Sequence, residues 1–285
     1  MIIKEIETKN ILTKSNLPVS DFSVNPYVGC AHACKYCYAS FMKRFTNHAE
    51  TWGEFVDVKT WSPIKNTKRL AGKEVFISSV TDPYQPCEKK FQRTRIFLEQ
   101  VANSDCRISI ATKSALILRD LDLLKKFRDI RVSFSINTLD EKFRADMDSA
   151  SSIEDRINAM KIIHEAWIRT TCFISPIFPG ITDVKKIIQR TKDFCNLIWL
   201  ENLNLRGDYR SRILDYIRAN YPQLEKLYRD IYIRKDRTYW KNLDEDIRKF
   251  TAEENLEYVR NEDSQRSFEL PPVVVNYFFH EELVK

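Results

Sequence analysis

Residues 29–38 read Gly29-Cys30-Ala31-His32-Ala33-Cys34-Lys35-Tyr36-Cys37-Tyr38. The spacing, Cys-x3-Cys-x-aromatic-Cys, offers three thiolates from one short loop and no fourth. A tetrahedral zinc site takes four protein ligands, whereas a [4Fe–4S] cluster can be held by three cysteines with one iron left open to a small molecule. Zinc would have to recruit His32 or a distant residue, and the loop lacks the paired Cys-x2-4-Cys knuckles usual at structural zinc. The iron–sulfur reading is therefore favoured, with zinc as the alternative.

At 285 residues the chain can bury one large core, or one core with a smaller appendage. A composition 43% hydrophobic and 30% charged is that of an ordinary globular protein. The other cysteines, Cys87, Cys106, Cys172 and Cys195, are scattered without a Cys-x2-Cys pair. One cluster and no disulfide framework are expected. Met1-Ile2-Ile3-Lys4-Glu5-Ile6-Glu7 carries acidic charge and no long apolar stretch, so no signal peptide is expected, and no apolar run reaches the length of a membrane span. The expected setting is a reducing cytoplasm. A net charge of +6 and a pI near 8.8 permit a polyanionic partner without demanding one.

After the loop, short β-like runs alternate with helical stretches, the pattern of a parallel α/β fold. Strands are expected over 22–28, 74–80, 107–112, 131–137, 171–175 and 198–205, and helices near 38–46, 91–103, 116–127, 153–167 and 184–194. Ile153, Ile157, Met160, Ile163 and Trp167 recur at three- and four-residue steps, as on a helix that covers a sheet. Six β/α units fit between about 20 and 206. They predict a partial (β/α)6 barrel of the TIM type over residues 1–206, with an N-terminal lead-in strand. Sites in such barrels gather at the carboxyl ends of the strands, where the cysteine loop falls.

Side chains alternate along a strand. Val132, Phe134 and Ile136 should therefore meet the helices, while Ser133, Ser135 and Asn137 line the barrel. Ser109, Ala111 and Lys113 point inward by the same rule. On the fifth strand Ser175 faces in, whereas Cys172 and Ile174 face out, which makes Cys172 a structural thiol. On the sixth, Asn202, Asn204 and Arg206 share a face with Ile198 and Leu200, so its orientation stays open. Residues 207–285 read as a mainly helical extension packed on the barrel, with helices over 211–219, 224–232 and 243–250 and a closing strand over 271–279. Aromatics and cations interleave there, from Tyr209, Arg210 and Arg212 to Trp240 and Lys241. One reading is a grip on phosphates and bases. The favoured one packs the aromatics inward and leaves the cations solvated and balanced by acids.

Several segments together resemble the radical S-adenosylmethionine (SAM) superfamily in its spore-photoproduct-lyase-like branch. They are Ile11-Leu12-Thr13-Lys14-Ser15, Asn25-Pro26-Tyr27-Val28-Gly29-Cys30, Cys34-Lys35-Tyr36-Cys37-Tyr38-Ala39 and Ser79-Val80-Thr81-Asp82-Pro83-Tyr84-Gln85-Pro86. Thr112-Lys113-Ser114, Arg119-Asp120, Ser135-Ile136-Asn137-Thr138-Leu139-Asp140 and Pro176-Ile177-Phe178-Pro179-Gly180-Ile181-Thr182-Asp183 complete the set over about residues 11–206. The chain also looks like the radical SAM mobile pair proteins of that branch, which implies a second radical SAM protein as partner. The resemblance implies that Cys30, Cys34 and Cys37 ligate a [4Fe–4S] cluster, that SAM chelates the open iron, and that Tyr36 lies near its adenine. Ser78-Ser79-Val80-Thr81-Asp82 stands where many relatives carry Gly-Gly-Glu, so Ser79, Thr81 and Asp82 would accept from the SAM ammonium. Lys113 and Ser135 would take the carboxylate, Asn137 would reach the ribose, and Ser175 shares their inward face.

The lyase that names the branch uses a cysteine near the end of its second strand to return a hydrogen atom to its thymine-dimer product. Residues 77–82 hold no cysteine here, and Cys87 comes several residues later. DNA photoproduct repair is therefore not carried over, and Tyr84 and Cys87 are the catalytic candidates that remain. The implied activity is reductive cleavage of SAM, with an external electron donor such as flavodoxin or ferredoxin. The resulting 5′-deoxyadenosyl radical would abstract hydrogen from a macromolecular substrate, with nucleic acid favoured by the basic balance. A peptide- or protein-modifying enzyme is the alternative, and a non-catalytic iron–sulfur or zinc redox regulator a third. No membrane partner is expected.

Overall fold

The computed structural model describes residues 1–16, 20–260 and 273–278. Its strands are β1 (Ile2–Glu7), β2 (Leu12–Lys14), β3 (Phe22–Val24), β4 (Tyr27–Val28), β5 (Phe55–Thr60), β6 (Glu74–Ile77), β7 (Arg107–Thr112), β8 (Ile130–Ser135), β9 (Arg169–Ile177), β10 (Leu197–Asn202), β11 (Glu257–Arg260) and β12 (Val274–Phe278). Nine of these make one sheet in the order β11-β12-β10-β9-β8-β7-β6-β3-β2, parallel except for the β2–β3 pair. The architecture is a mixed α/β partial barrel with a C-terminal helical region.

Register carries the alternation from strand to strand. Ile77, Ile110, Val132 and Thr170 sit side by side, as do Thr112, Phe134, Cys172, Ile198 and Val275. These rows are buried under the helices. The opposite face carries Ser135, Phe173, Trp199 and Asn276 in one row. Ser133 and Ser135 therefore line the barrel and Cys172 lies in the core, as the alternation predicts. On β10 the inward face belongs to Trp199 and Glu201, while Asn202 lies buried on the face of Ile198 and Leu200.

The strand expected over 22–28 is two strands in two sheets. Pro26 has no N–H to give a ladder. Asn25 before it is turned aside: its amide oxygen accepts from the Val80 N–H at 3.1 Å and its amide nitrogen donates to Ser79 Oγ at 2.9 Å. The chain thus leaves the large sheet after β3, and β4 joins β5 and β1 in a separate three-stranded sheet. The cysteine loop springs from β4 and returns over the carboxyl ends of β6 and β7.

The helix Ile153–Glu165 is capped by Ser152, whose Oγ accepts from the Asp155 N–H at 3.1 Å, and it buries Ile153, Ile157, Met160 and Ile163 against the sheet. Trp167 does not extend that stripe. The helix ends before it, its φ is 64°, and it is 97% exposed. In the C-terminal region the helices are Tyr209–Asn220, Glu225–Tyr232 and Thr238–Glu253. Ile213, Ile217 and Tyr228 pack against Phe143 and Phe178. Arg218 pairs with Asp215 and Glu225, and Arg234 with Asp230. This is the packed, charge-balanced arrangement and not a bare basic face. Of the strand expected over 271–279, Val274–Phe278 forms β12; residues 271, 272 and 279 lie outside the described residues. Among the described residues no helix is long and apolar enough to cross a membrane.

Replacing Ile163 with Ala should cost about 2–5 kcal/mol, because it empties a fully buried site. Trp167→Ala should stay within about 0.5 kcal/mol. Urea denaturation of the two variants checks the helix boundary, and equal losses would contradict it.

Candidate active site at the cysteine loop

Residues 29–37 form neither helix nor strand; two turns close within the loop, from the Ala33 N–H to the Cys30 carbonyl at 3.2 Å and from the Cys37 N–H to the Cys34 carbonyl at 3.1 Å, and other backbone groups find partners outside it. Gly29 opens it with φ +86°, and a Cβ there would lie 2.3 Å from the Phe55 carbonyl oxygen, so only glycine fits. Ala33 is pressed against Gly53, where a Cβ would come within 2.8 Å of the Ala33 methyl.

One side of the loop is gripped by the segment after β6. The Gln85 side chain is fully buried and reads the backbone on both flanks of Cys30. Its Oε1 accepts from the Ala31 N–H at 2.8 Å, and its Nε2 donates to the Gly29 carbonyl at 3.3 Å. The Thr81 hydroxyl donates to the same carbonyl at 2.6 Å. Asp82 accepts from the Tyr84 and Lys113 N–H groups and the Thr112 hydroxyl, at 2.8–2.9 Å, and stands 3.3 Å from His32 Nδ1. Burial alone would raise its pKa, but the His32 imidazole and the hydrogen bonds outweigh it and hold it at about 2.

The other side is gripped by the turn after the helix Glu141–Met147. The Lys35 N–H donates to the Met147 carbonyl at 2.9 Å, and the Ser149 N–H to the His32 carbonyl at 2.8 Å. Arg156, buried on the covering helix, donates to Asp148 at 2.7 Å and to the Ser135 carbonyl at 3.2 Å. Asp148 accepts in turn from the Tyr36 hydroxyl at 3.1 Å. Tyr36 is thereby fixed between Cys34 and Cys37, with its ring edge-on to Phe178.

Burial pushes the Cys34 thiol up to about 12 despite Lys113 beside it. Burial also raises Cys30, with Asp82 adding to the effect, and Cys37. Burial opposes the charge of Lys113, yet Cys34 and Asp148 outweigh it and raise its pKa, so the ammonium is charged at neutral pH. Its Nζ lies 5.8 Å from the Tyr36 ring centre. Three thiols and one cation thus share the mouth of the barrel.

Ser135 and Asn137 are buried at the same mouth, and the Asn137 amide nitrogen has no hydrogen-bond partner among the described residues. Ser78, held at φ 84°, also has an unpartnered buried hydroxyl. The Ser79 carbonyl accepts from the Tyr38 hydroxyl. Ser175 donates to Glu201 at 2.8 Å, and Trp199 Nε1 to the same carboxylate at 3.0 Å. Gln85, Arg156, Asp148 and Glu201 were not read from the sequence. Only Glu201 left a signal there, as a charged residue alternating out of step with Ile198 and Leu200.

Four expected roles change. Thr81 and Asp82 spend their hydrogen bonds on the loop and on β7, not on an open ligand site. Tyr84 is fully buried in the main core beside Asp120 and Glu88, away from the mouth. Cys87 packs with Tyr27, Ala31, Val56 and Val58 behind the loop, where burial pushes its thiol up to about 12. Neither can reach a substrate in this structure.

The radical SAM superfamily model matches residues 24–190. The chain belongs to that superfamily. This radical SAM protein is accordingly an enzyme that draws on SAM and iron–sulfur chemistry, and the non-catalytic regulator falls away. It is 41% identical over 224 residues to an uncharacterised protein of Methanocaldococcus jannaschii, covering 78% of this chain and 84% of that one. It is 25% identical over 172 residues to the radical SAM Nalpha-GlyT isomerase of Pseudomonas phage M6, covering 58% of this chain and 35% of that one. Spore photoproduct lyase complexed with dinucleoside spore photoproduct superposes with a TM-score of 0.62 at 15% identity, covering 97% of this chain and 82% of the lyase. At that identity the likeness is one of fold.

Gln85→Leu leaves the Ala31 N–H and part of the Gly29 carbonyl's bonding unmet, and should cost roughly 2 kcal/mol or more. Cys30 should alkylate faster with iodoacetamide in that variant, and an unchanged rate would mean the loop is held by other contacts. Asp82, whose pKa is depressed on folding, contributes stability that is present above pH about 4 and is lost as the pH falls toward 2. Urea titrations across that window should show wild type losing its advantage over Asp82→Asn as acid is added.

Proposed function

We propose that Cys30, Cys34 and Cys37 hold a [4Fe–4S] cluster, that SAM occupies the polar mouth beside it, and that the enzyme acts on nucleic acid. The observation that carries this is the placement of three thiols on one loop, Cys30 buried and Cys34 and Cys37 half-buried, beside the Lys113 ammonium at the carboxyl ends of the strands. Thiolates are the soft donors that iron–sulfur clusters take. Among the described residues no three His, Cys, Asp or Glu side chains converge as the ligands of a single ion would; a cluster takes each thiolate on a different iron. The orphaned Asn137 amide and Ser78 hydroxyl fit a polar ligand that would complete them.

Bound together, cluster and SAM supply one-electron cleavage of the sulfonium, with an electron from an external donor, giving methionine and a 5′-deoxyadenosyl radical that takes a hydrogen atom from the substrate. The chain's own residues position and shield. Lys113 pairs with the SAM carboxylate, and Ser135 stands beside it. Asn137 Nδ2 donates to the ribose, and Ser78 and Ser79 offer oxygens to the ammonium. Tyr36, locked by Asp148 and Arg156, walls the adenine side. Ser175, Glu201 and Trp199 face the interior above which substrate would lie. A nucleic acid is supported by the net charge of +6 and by the fold shared with a lyase seen in complex with a dinucleoside.

After anaerobic reconstitution with iron and sulfide, dithionite and SAM should yield 5′-deoxyadenosine. Cys34→Ala should abolish it, and Lys113→Ala should raise the KM for SAM roughly tenfold or more. Equal turnover by Cys34→Ala would overturn the cluster assignment. Deuterium passing from a labelled oligonucleotide into 5′-deoxyadenosine identifies the substrate class.

A further inference from the structure

The helix that leaves the cysteine loop, Tyr38–Phe45, is a 3₁₀ helix that buries only Ala39. Its sequence, Tyr38-Ala39-Ser40-Phe41-Met42-Lys43-Arg44-Phe45, contains no acid. Three residues make each turn of such a helix, so Tyr38, Phe41 and Arg44 stack one above another along a face, with Phe45 beside them. Tyr38 is 61% exposed, Phe41 43% and Phe45 67%. Soluble surfaces seldom leave three large rings adjacent and uncovered without a partner. The Arg44 guanidinium lies 5.3 Å from the Phe41 ring centre and 4.8 Å from that of Phe45, so a cation is held between the two aromatics.

We propose that this helix is a stacking track for single-stranded nucleic acid that leads to the cysteine loop. The proposal rests on the nucleic-acid reading above and assigns it a surface. Two rings with a cation held between them, and a third ring one turn away, match a strand that carries planar bases along a phosphate backbone, whereas duplex bases keep their faces to themselves. Charge complementarity favours a polyanion, because Lys43 and Arg44 meet no acid on the helix. Tyr38 follows Cys37 directly and is tied to the Ser79 carbonyl at the barrel mouth. A strand laid along the helix, roughly 16 Å long at about 2 Å per residue, would thus deliver its end nucleotide to the mouth.

The test is fluorescence anisotropy with labelled single-stranded DNA and RNA of about 12 nucleotides. Phe41→Ala/Phe45→Ala should bind at least about tenfold more weakly with an unchanged salt slope, and Phe45→Trp should bind like wild type. Arg44→Ala should lower the salt slope by about one. All these positions are exposed, so melting curves should coincide. If the double variant binds as wild type does, the track is wrong while the nucleic-acid reading stands. A double variant that binds oligonucleotide normally but is reduced more slowly by an acidic flavodoxin-type carrier would make this a protein-docking face and also overturn the track. If wild type binds neither oligonucleotide at about 50 mM salt, both fall.

Discussion

An irregular loop can satisfy only part of its own backbone, and beyond its two internal turns the cysteine loop answers that constraint with partners borrowed from two neighbours. Gln85 and Thr81 serve the groups flanking Cys30. Met147 and Ser149 serve Lys35 and His32. Each partner is anchored near the carboxyl end of a parallel strand: Asp82 ties the first set to β7, and Arg156 ties the second to β8. The thiol positions are thereby set by the sheet. A loop bonded only within itself would bring the thiols together by chance fluctuation, at the entropy cost of ordering about 1–2 kcal/mol per residue on binding.

Electrostatics at the mouth divide the charged groups between structure and ligand. Asp82 is surrounded by donors, which lowers its pKa and leaves it no capacity for a further cation. Lys113 has the thiols and Asp148 as electrostatic neighbours, and its ammonium lies over the Tyr36 ring. It is therefore the cation placed to meet an anionic ligand. The unpartnered Asn137 and Ser78 groups each carry a burial cost of about 1–3 kcal/mol. Such cost is retained in functional sites because a bound ligand removes it.

Strand alternation makes much of this legible in the sequence. The inward set of Ser133, Ser135 and Lys113 follows from a period of two, and the three cysteines announce themselves by spacing. The hidden residues act at long range. Gln85 meets a backbone more than fifty positions away, and the Tyr36 hydroxyl meets Asp148 more than a hundred away. No local pattern marks either. Arg156 reads as a polar position on an amphipathic helix, yet it is buried because a carboxylate and two carbonyls receive it. The break at Asn25-Pro26 was readable in principle from the proline, but not the second sheet that the chain joins there.

The order of the large sheet bears on what can reach the site. Its edges are β11 and β2, separate strands that do not pair with each other, so the sheet is open. A closed barrel admits ligands only at its end. An open one adds a lateral approach, which suits a substrate too long to enter whole. The C-terminal helices pack beside Phe178 and Phe143 against Tyr36, and so cover one flank of the mouth. The helix Tyr38–Phe45 stands on the loop itself with its rings in solvent. Access is thus asymmetric: packed aromatics close the Tyr36 side, and exposed aromatics border the approach that remains.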